Sequence, residues 1–499
     1  MSMLMAGAPL PDTRAILPRP AASDDRSWPA LTGQKAIDRF KIYCSYMTIQ
    51  GEAPDQGRPN HSCSGGRTVV PSSDYLKSLV DIEAGRISPE IFIDEDIYRL
   101  ELDRVFGRNW LFLAHDSMIP KPGDFFSTYM GGDPVVVARQ PDGSVRAFLN
   151  ACRHRGMRVC RAESGNTKSF FCTYHGWAYD TAGNLINVPN LSDAYKDRLS
   201  LKDNGLIPVA RIESYKGLIF GNFDATAPSL EEHLGDLKYY IDGWVDQVDG
   251  GIEVLPGVVR WTINANWKLA AEQFAGDTYH APTSHASSLL SFGPPFEGKD
   301  GAHVAFREGH GESFLFKRHT RFSEDPLSLY NDAKLEAAKA RVGDRAEFVA
   351  NFTAFPAFSG LPGSSNIRVW HPKGPNKFEI WSFTVVDKNA PPEAKKAMQV
   401  SASFTEGPAG VVETDDGENW GLIGAILEQG HQARKMRWNY QMGDYPATGH
   451  EEFPGAYRDS FFGEAGHRAF YRRWLEFMTS EEWPVLTQEE RDAFNKPGA

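Results

Sequence analysis

The sequence predicts an α+β protein in which a small all-β domain precedes a larger domain with an antiparallel sheet covered by helices. Three observations predict this architecture. With 499 residues, the chain is too long for one ordinary hydrophobic core. A block of β-hairpins comes first, and strands and helices then follow one another without the regular alternation of βαβ units.

Composition narrows the class of protein. The chain is 41% hydrophobic and 24% charged, as globular proteins are, and its net charge of −12 argues against nucleic acid as the main partner. No apolar run approaches the roughly 18 residues that span a bilayer, and no signal peptide is evident at the N-terminus. Five cysteines in a chain of this length do not make a disulfide framework. We therefore expect a cytoplasmic protein without a membrane partner.

The N-terminal region is predicted to contribute little to the fold. Residues 1–84 are rich in Pro, Gly, Ser and Asp, so we expect a disordered extension, and Met47 within it is an alternative start of the natural chain. Order begins with a helix in 85–108 that packs on the larger domain. Asp94 can cap its start and Gly107 can end it.

The all-β domain is placed at 109–226. The segment "DPVVVARQPDGSVRAFLNAC" alternates as a hairpin does, with its turn at 141–143. A second hairpin, "SFFCTYHGWAYDTAGNLINV", turns at 182–184, and "GLIFGNF" closes the block.

The larger domain is placed at 227–499. Ser229 and Glu232 have the spacing of a capping box and predict a helix at its start. Strands are predicted in 252–264 and 367–387. The segments "NWKLAAEQFAGDTYHAP" and "GENWGLIGAILEQGHQARKM" are predicted to be helical.

One cysteine and one histidine come from each of two hairpin tips in the β-rich block. This arrangement suits a [2Fe–2S] cluster in which two thiolates hold one iron and two imidazoles hold the other. A zinc knuckle is the alternative, although structural zinc more often uses pairs of cysteines. The four candidate ligands are Cys152, His154, Cys172 and His175.

A second group of metal-ligand residues follows about a hundred residues later. Asp277 and His280 have i, i+3 spacing and are predicted to share a helical face, while a proline breaks the chain before His285. Two histidines and one carboxylate form the facial triad of non-haem Fe(II) sites. Asp415 and Asp416, expected just ahead of a helix, are candidates for the carboxylate. Alone, such acids are more often helix caps and such histidines structural.

Together these motifs resemble the α subunits of the Rieske non-haem iron aromatic-ring-hydroxylating dioxygenases, the group of the naphthalene and biphenyl dioxygenases. The resemblance covers roughly residues 85–480. It implies one [2Fe–2S] Rieske cluster in 109–226 and one mononuclear Fe(II) in a catalytic domain at 227–499. The segments that carry it are Cys-x-His-x₁₇-Cys-x₂-His, "EQFAGDTYHAPTSH", "WHPKGPN" and "ETDDGENW".

The resemblance also assigns roles to residues. The four Cys and His residues of the hairpin tips would hold the cluster, and His280, His285 and Asp416 would hold the mononuclear iron. Asp277 would bridge His280 to the cluster ligand His175 of a neighbouring subunit, because the two centres of one chain are too far apart for fast electron transfer. A trimer of α subunits follows, as α3 or, with small β subunits, α3β3.

For the reaction, the resemblance implies that NADH supplies electrons through a reductase and a ferredoxin. O₂ and an aromatic hydrocarbon, bicyclic or polycyclic as "SHASSL" suggests, would give a cis-dihydrodiol. No glycine-rich nucleotide fingerprint is evident in this chain. A Rieske-type monooxygenase acting on an aromatic acid such as salicylate is the alternative. A non-catalytic electron carrier would not need the second group of ligands.

Substrate contacts are only weakly encoded. Gln273, where relatives often have Asn, lies in the ligand segment with Phe274 and Thr278, and we expect all three at the substrate pocket. Val412 precedes Asp416 by four residues and is expected to join them. The phenylalanines at 352, 355 and 358 are expected to fill the core instead.

Overall fold

The structure of the chain is a computed structural model that describes residues 70–288, 297–316 and 326–498. Most of the predicted N-terminal extension, including Met47, lies outside these residues. No helix within them is both long enough and apolar enough to cross a membrane.

The prediction of disorder is wrong for residues 70–84. A helix, α1 (Ser73–Leu79), forms there, and the Ser72 side chain accepts the N–H of Tyr75 at its start. Its two leucines, Leu76 and Leu79, are buried. Two leucines in a helix this short are too few to give a visible apolar period in the sequence.

Two short strands and a second helix follow. β1 (Val80–Asp81) and β2 (Arg86–Ile87) pair with each other, and α2 (Glu95–Glu101) begins where Asp94 accepts the N–H of Ile97 at 2.8 Å. A single π-helical turn (Leu102–Phe106) then follows and ends at Gly107.

Glu101, at the end of α2, fixes this segment to the larger part of the molecule. Its fully buried carboxylate lies 2.6 Å from the Lys268 ammonium and accepts the indole N–H groups of Trp267 and Trp474. The charge of this buried carboxylate is therefore balanced by a cation and by two further donors.

The β-rich part consists of three small antiparallel sheets, and both predicted hairpins are present. The sheet orders are β6–β5–β4–β7, β10–β9–β8 and β11–β12–β3. A short helix, α3 (Leu191–Tyr195), follows β10. The strands are β3 (Leu111–His115), β4 (Asp124–Met130), β5 (Asp133–Arg139), β6 (Val145–Leu149), β7 (Ser164–Asn166), β8 (Ser169–Phe171), β9 (Ala178–Asp180), β10 (Leu185–Asn187), β11 (Arg211–Tyr215) and β12 (Leu218–Asn222).

The larger part is built on one nine-stranded antiparallel sheet. The strand order is β13–β20–β19–β18–β17–β16–β15–β22, with β14 also paired to β20, while β21 (Trp438–Asn439) pairs with β2. The strands of the large sheet are β13 (Ile252–Val254), β14 (Val259–Ile263), β15 (Gly301–Ala305), β16 (Gly311–Leu315), β17 (Val349–Ala354), β18 (Phe358–Leu361), β19 (Asn366–Gly374), β20 (Lys377–Asp387) and β22 (Ala456–Arg458).

Helices accompany this sheet along the chain, and the first begins with the predicted capping box of Ser229 and Glu232. The helices are α4 (Leu230–Leu234), α5 (Leu237–Val245), α6 (Trp267–Gln273), α7 (Ala281–Ser284), α8 (Pro326–Val342), α9 (Pro392–Glu406), α10 (Glu413–Gln429), α11 (Ala465–Thr479) and α12 (Gln488–Asn495). Phe352, Phe355 and Phe358 lie in the main core, as predicted. The α+β prediction is confirmed.

Candidate metal centres

The two loops that carry Cys152 and Cys172 have the same backbone conformation. In each, the cysteine N–H donates to the carbonyl five residues on, and the glycine four residues on donates to the cysteine carbonyl, all at 2.8–2.9 Å. Those glycines, Gly156 and Gly176, have φ of 73° and 76°, a region that favours glycine. Two matching turns therefore present one thiol each to the space between them.

The four candidate cluster ligands converge with the thiols inside and the imidazoles outside. Cys152 and Cys172 are 3% and 1% exposed, whereas His154 and His175 are half-buried. The two imidazole Nδ1 atoms lie 3.0 Å apart. Two donors at right angles on a metal with bonds of about 2.1 Å are separated by about 3.0 Å, so both imidazoles can bind one iron through Nδ1. The donor set fits a cluster held by two thiolates and two imidazoles.

Aromatic residues support this arrangement. The Tyr179 hydroxyl lies 3.3 Å from the Cys152 sulfur and accepts the backbone N–H of Arg153 at 3.1 Å. The Trp177 indole stacks on the His154 ring, with centroids 5.1 Å apart and planes inclined by 8°. The orientation of the first loop is thus fixed by residues of the second hairpin.

A second centre is formed by His280, His285 and Asp416. The two Nε2 atoms are 3.2 Å apart, and they lie 3.3 and 3.4 Å from the Asp416 Oδ1 atom. These separations fit three donors on one face of a single metal ion, which leaves the opposite face open. Oδ1 of Asp416 is buried and has no hydrogen-bond partner in the described chain, so a cation would satisfy it.

The local fold at this centre differs from the prediction in one respect. Asp277 and His280 do not share a helical face, because α6 ends at Gln273 and both residues lie in the connection to α7. Gly276, with φ of 144°, turns the chain there, and a side chain other than glycine rarely adopts this conformation. The two side chains still meet, with Asp277 Oδ1 3.3 Å from His280 Nδ1.

A second difference concerns the acidic residues. Asp415 and Asp416 were expected just ahead of a helix, but they lie inside the first turn of α10, which begins at Glu413. Acidic side chains are favourable at the positive end of the helix dipole, so these residues belong to the helix that they were expected to precede. Their N–H groups donate to the Val412 carbonyl at 3.1 and 3.3 Å.

Each histidine of the centre has its own carboxylate. Asp277 contacts His280, and Asp415 Oδ2 lies 3.1 Å from the Nδ1 atom of His285. A carboxylate on Nδ1 fixes the tautomer and leaves Nε2 free to bind a metal. The sequence marked Asp415 as a possible ligand but gave no signal for this role, which depends on a contact across 130 positions.

The electrostatics of the centre favour a cation. Burial lowers the pKa of His280, but the carboxylates of Asp277 and Asp416 outweigh it and raise the pKa to about 10. Burial raises the pKa of Asp277, and its bond to His280 outweighs that and lowers it. The excess of negative charge that these shifts reflect would equally stabilise a divalent metal ion.

The four predicted pocket residues make different contacts. Gln273 accepts the indole N–H of Trp420 at 2.9 Å, and its own Nε2 lies 3.5 Å from Nε2 of His280. Thr278 donates its hydroxyl to a backbone carbonyl, and Val412 precedes the first turn of α10. Phe274 stacks on a tryptophan of β19, with ring centroids 5.3 Å apart. Trp420, which orients Gln273, was not foreseen.

A groove of about 840 Å³ lies elsewhere, and it includes no residue of either centre. Its walls carry Arg139, Lys216, Arg341 and Lys388, together with acidic residues. Charged walls of this kind do not suit an apolar ring. The geometry of the two centres, rather than this groove, therefore points to the chemistry.

Two family models match the chain on either side of its boundary. Residues 109–212 match the Rieske [2Fe-2S] domain, and residues 233–480 match the ring hydroxylating alpha subunit (catalytic domain). The first match contains the cysteine and histidine loops, and the second contains the histidine and aspartate centre.

Curated relatives and solved structures agree with these matches. The chain is 44% identical over 444 residues to the benzene 1,2-dioxygenase subunit alpha of Pseudomonas putida, covering 83% of this chain and 96% of the relative. It is 43% identical to the biphenyl 2,3-dioxygenase subunit alpha of Rhodococcus jostii, covering 82% and 93%. A naphthalene 1,2-dioxygenase with bound indole aligns with a TM-score of 0.77 and 37% identity, covering 84% and 96%. The chain belongs to the large-subunit family of aromatic-ring-hydroxylating dioxygenases, with a Rieske [2Fe–2S] domain and a non-haem iron catalytic domain.

Proposed function

We propose that His280, His285 and Asp416 bind the mononuclear iron. The observation that carries this assignment is the convergence of their three donor atoms at 3.2–3.4 Å. The cluster is assigned in the same way to its four converging side chains, Cys152, His154, Cys172 and His175.

The residues of this chain then have distinct tasks. When bound, the two metal groups supply single electrons and O₂ activation. Asp415 bonds Nδ1 of His285, while Asp277 accepts the backbone N–H of His280 and lies 3.3 Å from its Nδ1, so that both Nε2 atoms can face the metal. Gln273, held by Trp420, presents its amide beside His280.

We propose that electrons pass between subunits through Asp277. Its side chain is 32% exposed, and the cluster histidines also reach the surface, next to Tyr174, which is 58% exposed. Asp277 of one copy can therefore accept a hydrogen bond from the partner's His175. A closed ring of three copies satisfies every such contact. Relatives are named as a subunit alpha and as the large oxygenase component of a dioxygenase system, which supports further protein components. We take these components to be small β subunits, a ferredoxin and an NADH-dependent reductase.

The proposed domain boundaries lie in connections between helices and strands. An N-terminal helical segment at 85–108 leads into the Rieske domain at 109–226, which ends in the connection between β12 and α4, and the catalytic domain occupies 227–499. The thiols that hold the cluster must stay reduced, which supports a cytoplasmic location.

The proposed substrate is an aromatic hydrocarbon. Its reaction with O₂, NADH and a proton gives a cis-dihydrodiol and NAD⁺. The relatives are named for benzene, biphenyl and naphthalene. They do not support the alternative of a salicylate-type monooxygenase. The buried guanidinium of Arg368 is already paired with Glu413 and Glu406, so it cannot anchor a substrate carboxylate.

Single turnover of the pre-reduced protein under ¹⁸O₂ tests this function. The panel contains benzene, biphenyl, naphthalene, benzoate and salicylate, and products are read by mass spectrometry. We expect two labelled oxygens in one hydrocarbon product and none from the acids. Asp416→Ala is the matched control, which should retain the cluster and form no product. One labelled oxygen in the product, or turnover of salicylate alone, would refute the proposal.

A further inference from the structure

Arg368 of β19 lies directly beneath the metal-binding end of α10, although it contacts no metal ligand. Its side chain is fully buried, and Nη1 donates to Glu413 Oε2 at 2.8 Å. Nη2 donates to the backbone carbonyl of Glu406 at 2.6 Å and lies 3.2 Å from its carboxylate. One guanidinium thus binds two helices at once.

These contacts lie at the two ends of a short connection. Glu406 is the last residue of α9 and Glu413 is the first residue of α10, so Arg368 fixes both ends of the chain between them. Asp416 follows Glu413 by three residues, less than one helical turn. Any movement of Glu413 along or around the helix axis would therefore displace the Asp416 carboxylate as well.

The charges around this residue show why a cation is needed there. Burial raises the pKa of Glu413 to about 8, and Glu406 and Asp416 add negative charge that the guanidinium of Arg368 opposes. Glu406, Glu413 and Asp416 thus lie close together where α9 ends and α10 begins. Arg368 is the buried cation that contacts two of them, and it does so from a rigid central strand of the sheet.

We propose that Arg368 is a positioning residue for the mononuclear iron site, which sets the place of Asp416 and Asp415 by clamping Glu413 at the start of α10. This inference rests on the proposed function, because it takes the triad of His280, His285 and Asp416 as the iron site. It adds a residue outside the ligand motifs, on a different element of the fold.

The test compares Arg368→Met and Arg368→Lys in the full holoprotein with Arg473→Met. Arg473 is an equally buried arginine, paired with Glu476 at 2.7 Å, that contacts neither centre, so it controls for the loss of a buried cation. Iron affinity is measured by competition with a ferrous chelator. The paramagnetic resonance signals of the ferrous–nitric oxide adduct and of the reduced cluster are recorded separately.

We expect Arg368→Met to weaken mononuclear iron binding by about tenfold or more and to broaden the nitric oxide signal. The cluster signal should not change. Arg368→Lys, which keeps the charge but cannot make the same two-helix contact, should lie between Arg368→Met and the wild type. Arg473→Met should lower stability and leave iron affinity unchanged. Equal loss of iron in both methionine variants would overturn the proposal.

Glu413→Gln keeps the test decisive if Arg368→Met does not fold. It should weaken iron binding severalfold, and the double variant with Arg368→Lys should lose less than the sum of the two single losses, because both changes act on the same contact. Fully additive losses would refute action through Glu413. A failure of the proposed function is distinguishable from a failure of this inference. If the triad were not the iron site, Asp416→Ala would have the same iron content as the wild type.

Discussion

At the scale of single residues, the catalytic centre contains two carboxylates with similar contacts and different surroundings. Asp277 and Asp415 each lie beside Nδ1 of a histidine proposed to bind the iron, at 3.3 and 3.1 Å. Both side chains are about one-third exposed, at 32% and 31%. Asp277 is assigned a second partner on another subunit, whereas Asp415 belongs to the first turn of α10.

Substituting each carboxylate by its amide separates the two roles. Asp277→Asn should retain both metal centres and slow re-oxidation of the reduced cluster by roughly a hundredfold. Asp415→Asn should weaken iron binding by roughly tenfold and leave cluster re-oxidation in the iron-loaded protein near normal. Stopped-flow absorption of the cluster, with O₂ and an arene present, measures both. Similar rates in the two variants would mean that Asp277 orients its histidine and does nothing more.

At the scale of elements, the two cluster loops are equivalent in backbone and unequal in surroundings. A Cβ atom built on Gly176 would lie 2.7 Å from the Pro189 side chain, whereas one on Gly156 would meet nothing within 4 Å. The same substitution therefore tests backbone strain alone at one site and strain with a steric clash at the other.

Gly156→Ala should cost about 1–2 kcal/mol of stability, from the left-handed conformation alone, and keep a full cluster. Gly176→Ala should cost more and reduce the cluster content of the purified protein. The visible absorption of the oxidised cluster per mole of protein, together with the melting temperature, measures the difference. Equal cluster content in the two variants would show that Pro189 yields to the added methyl group.

The elements also show how far the sequence could predict this protein. The hairpins, and the convergence of the four proposed cluster ligands, were predictable because each Cys and His pair lies within a few residues of one turn. Helical spacing wrongly predicts a helix around Asp277. Gly276, which has a positive φ, turns the chain there, and residue spacing alone cannot reveal such a turn. Contacts between distant segments, such as Arg368 with Glu413 or Trp420 with Gln273, leave no trace in one sequence.

At the scale of the whole molecule, buried histidines govern the response to acid. Burial lowers the pKa of His310 to about 4, and it lowers that of four further histidines in the same direction. A histidine that is neutral when folded stabilises the protein above its unfolded pKa of about 6.5. That stability is lost as the pH falls towards the folded value. Those four are His115, His233, His303 and His371, and burial lowers the pKa of His467 to about 4 as well.

Urea unfolding at pH 6.5, 5.5 and 4.5 should therefore show a steep fall in stability, with each buried histidine contributing up to about 1.4 kcal/mol per pH unit. His310 accepts the N–H of Phe355 and contacts the His233 carbonyl, so His310→Gln can keep part of this bonding without a titrating group. This substitution should reduce the slope of the unfolding free energy against pH by about 1.4 kcal/mol per pH unit, the contribution of one proton. An unchanged slope in His310→Gln would contradict the assignment.

The place of Asp416 in the first turn of α10 has a consequence for the working life of the protein. The first turn of a helix opens more readily than its interior once the contacts that hold it are lost, and here that turn contains the proposed metal ligand. By mass action, iron at the proposed site would stabilise the folded turn, and the folded turn would in return retain the iron. Storage in a chelating or oxidising medium would therefore inactivate the enzyme through unfolding of this one turn, while the large sheet remained folded. A small excess of ferrous iron in the storage buffer would protect the structure as well as the activity.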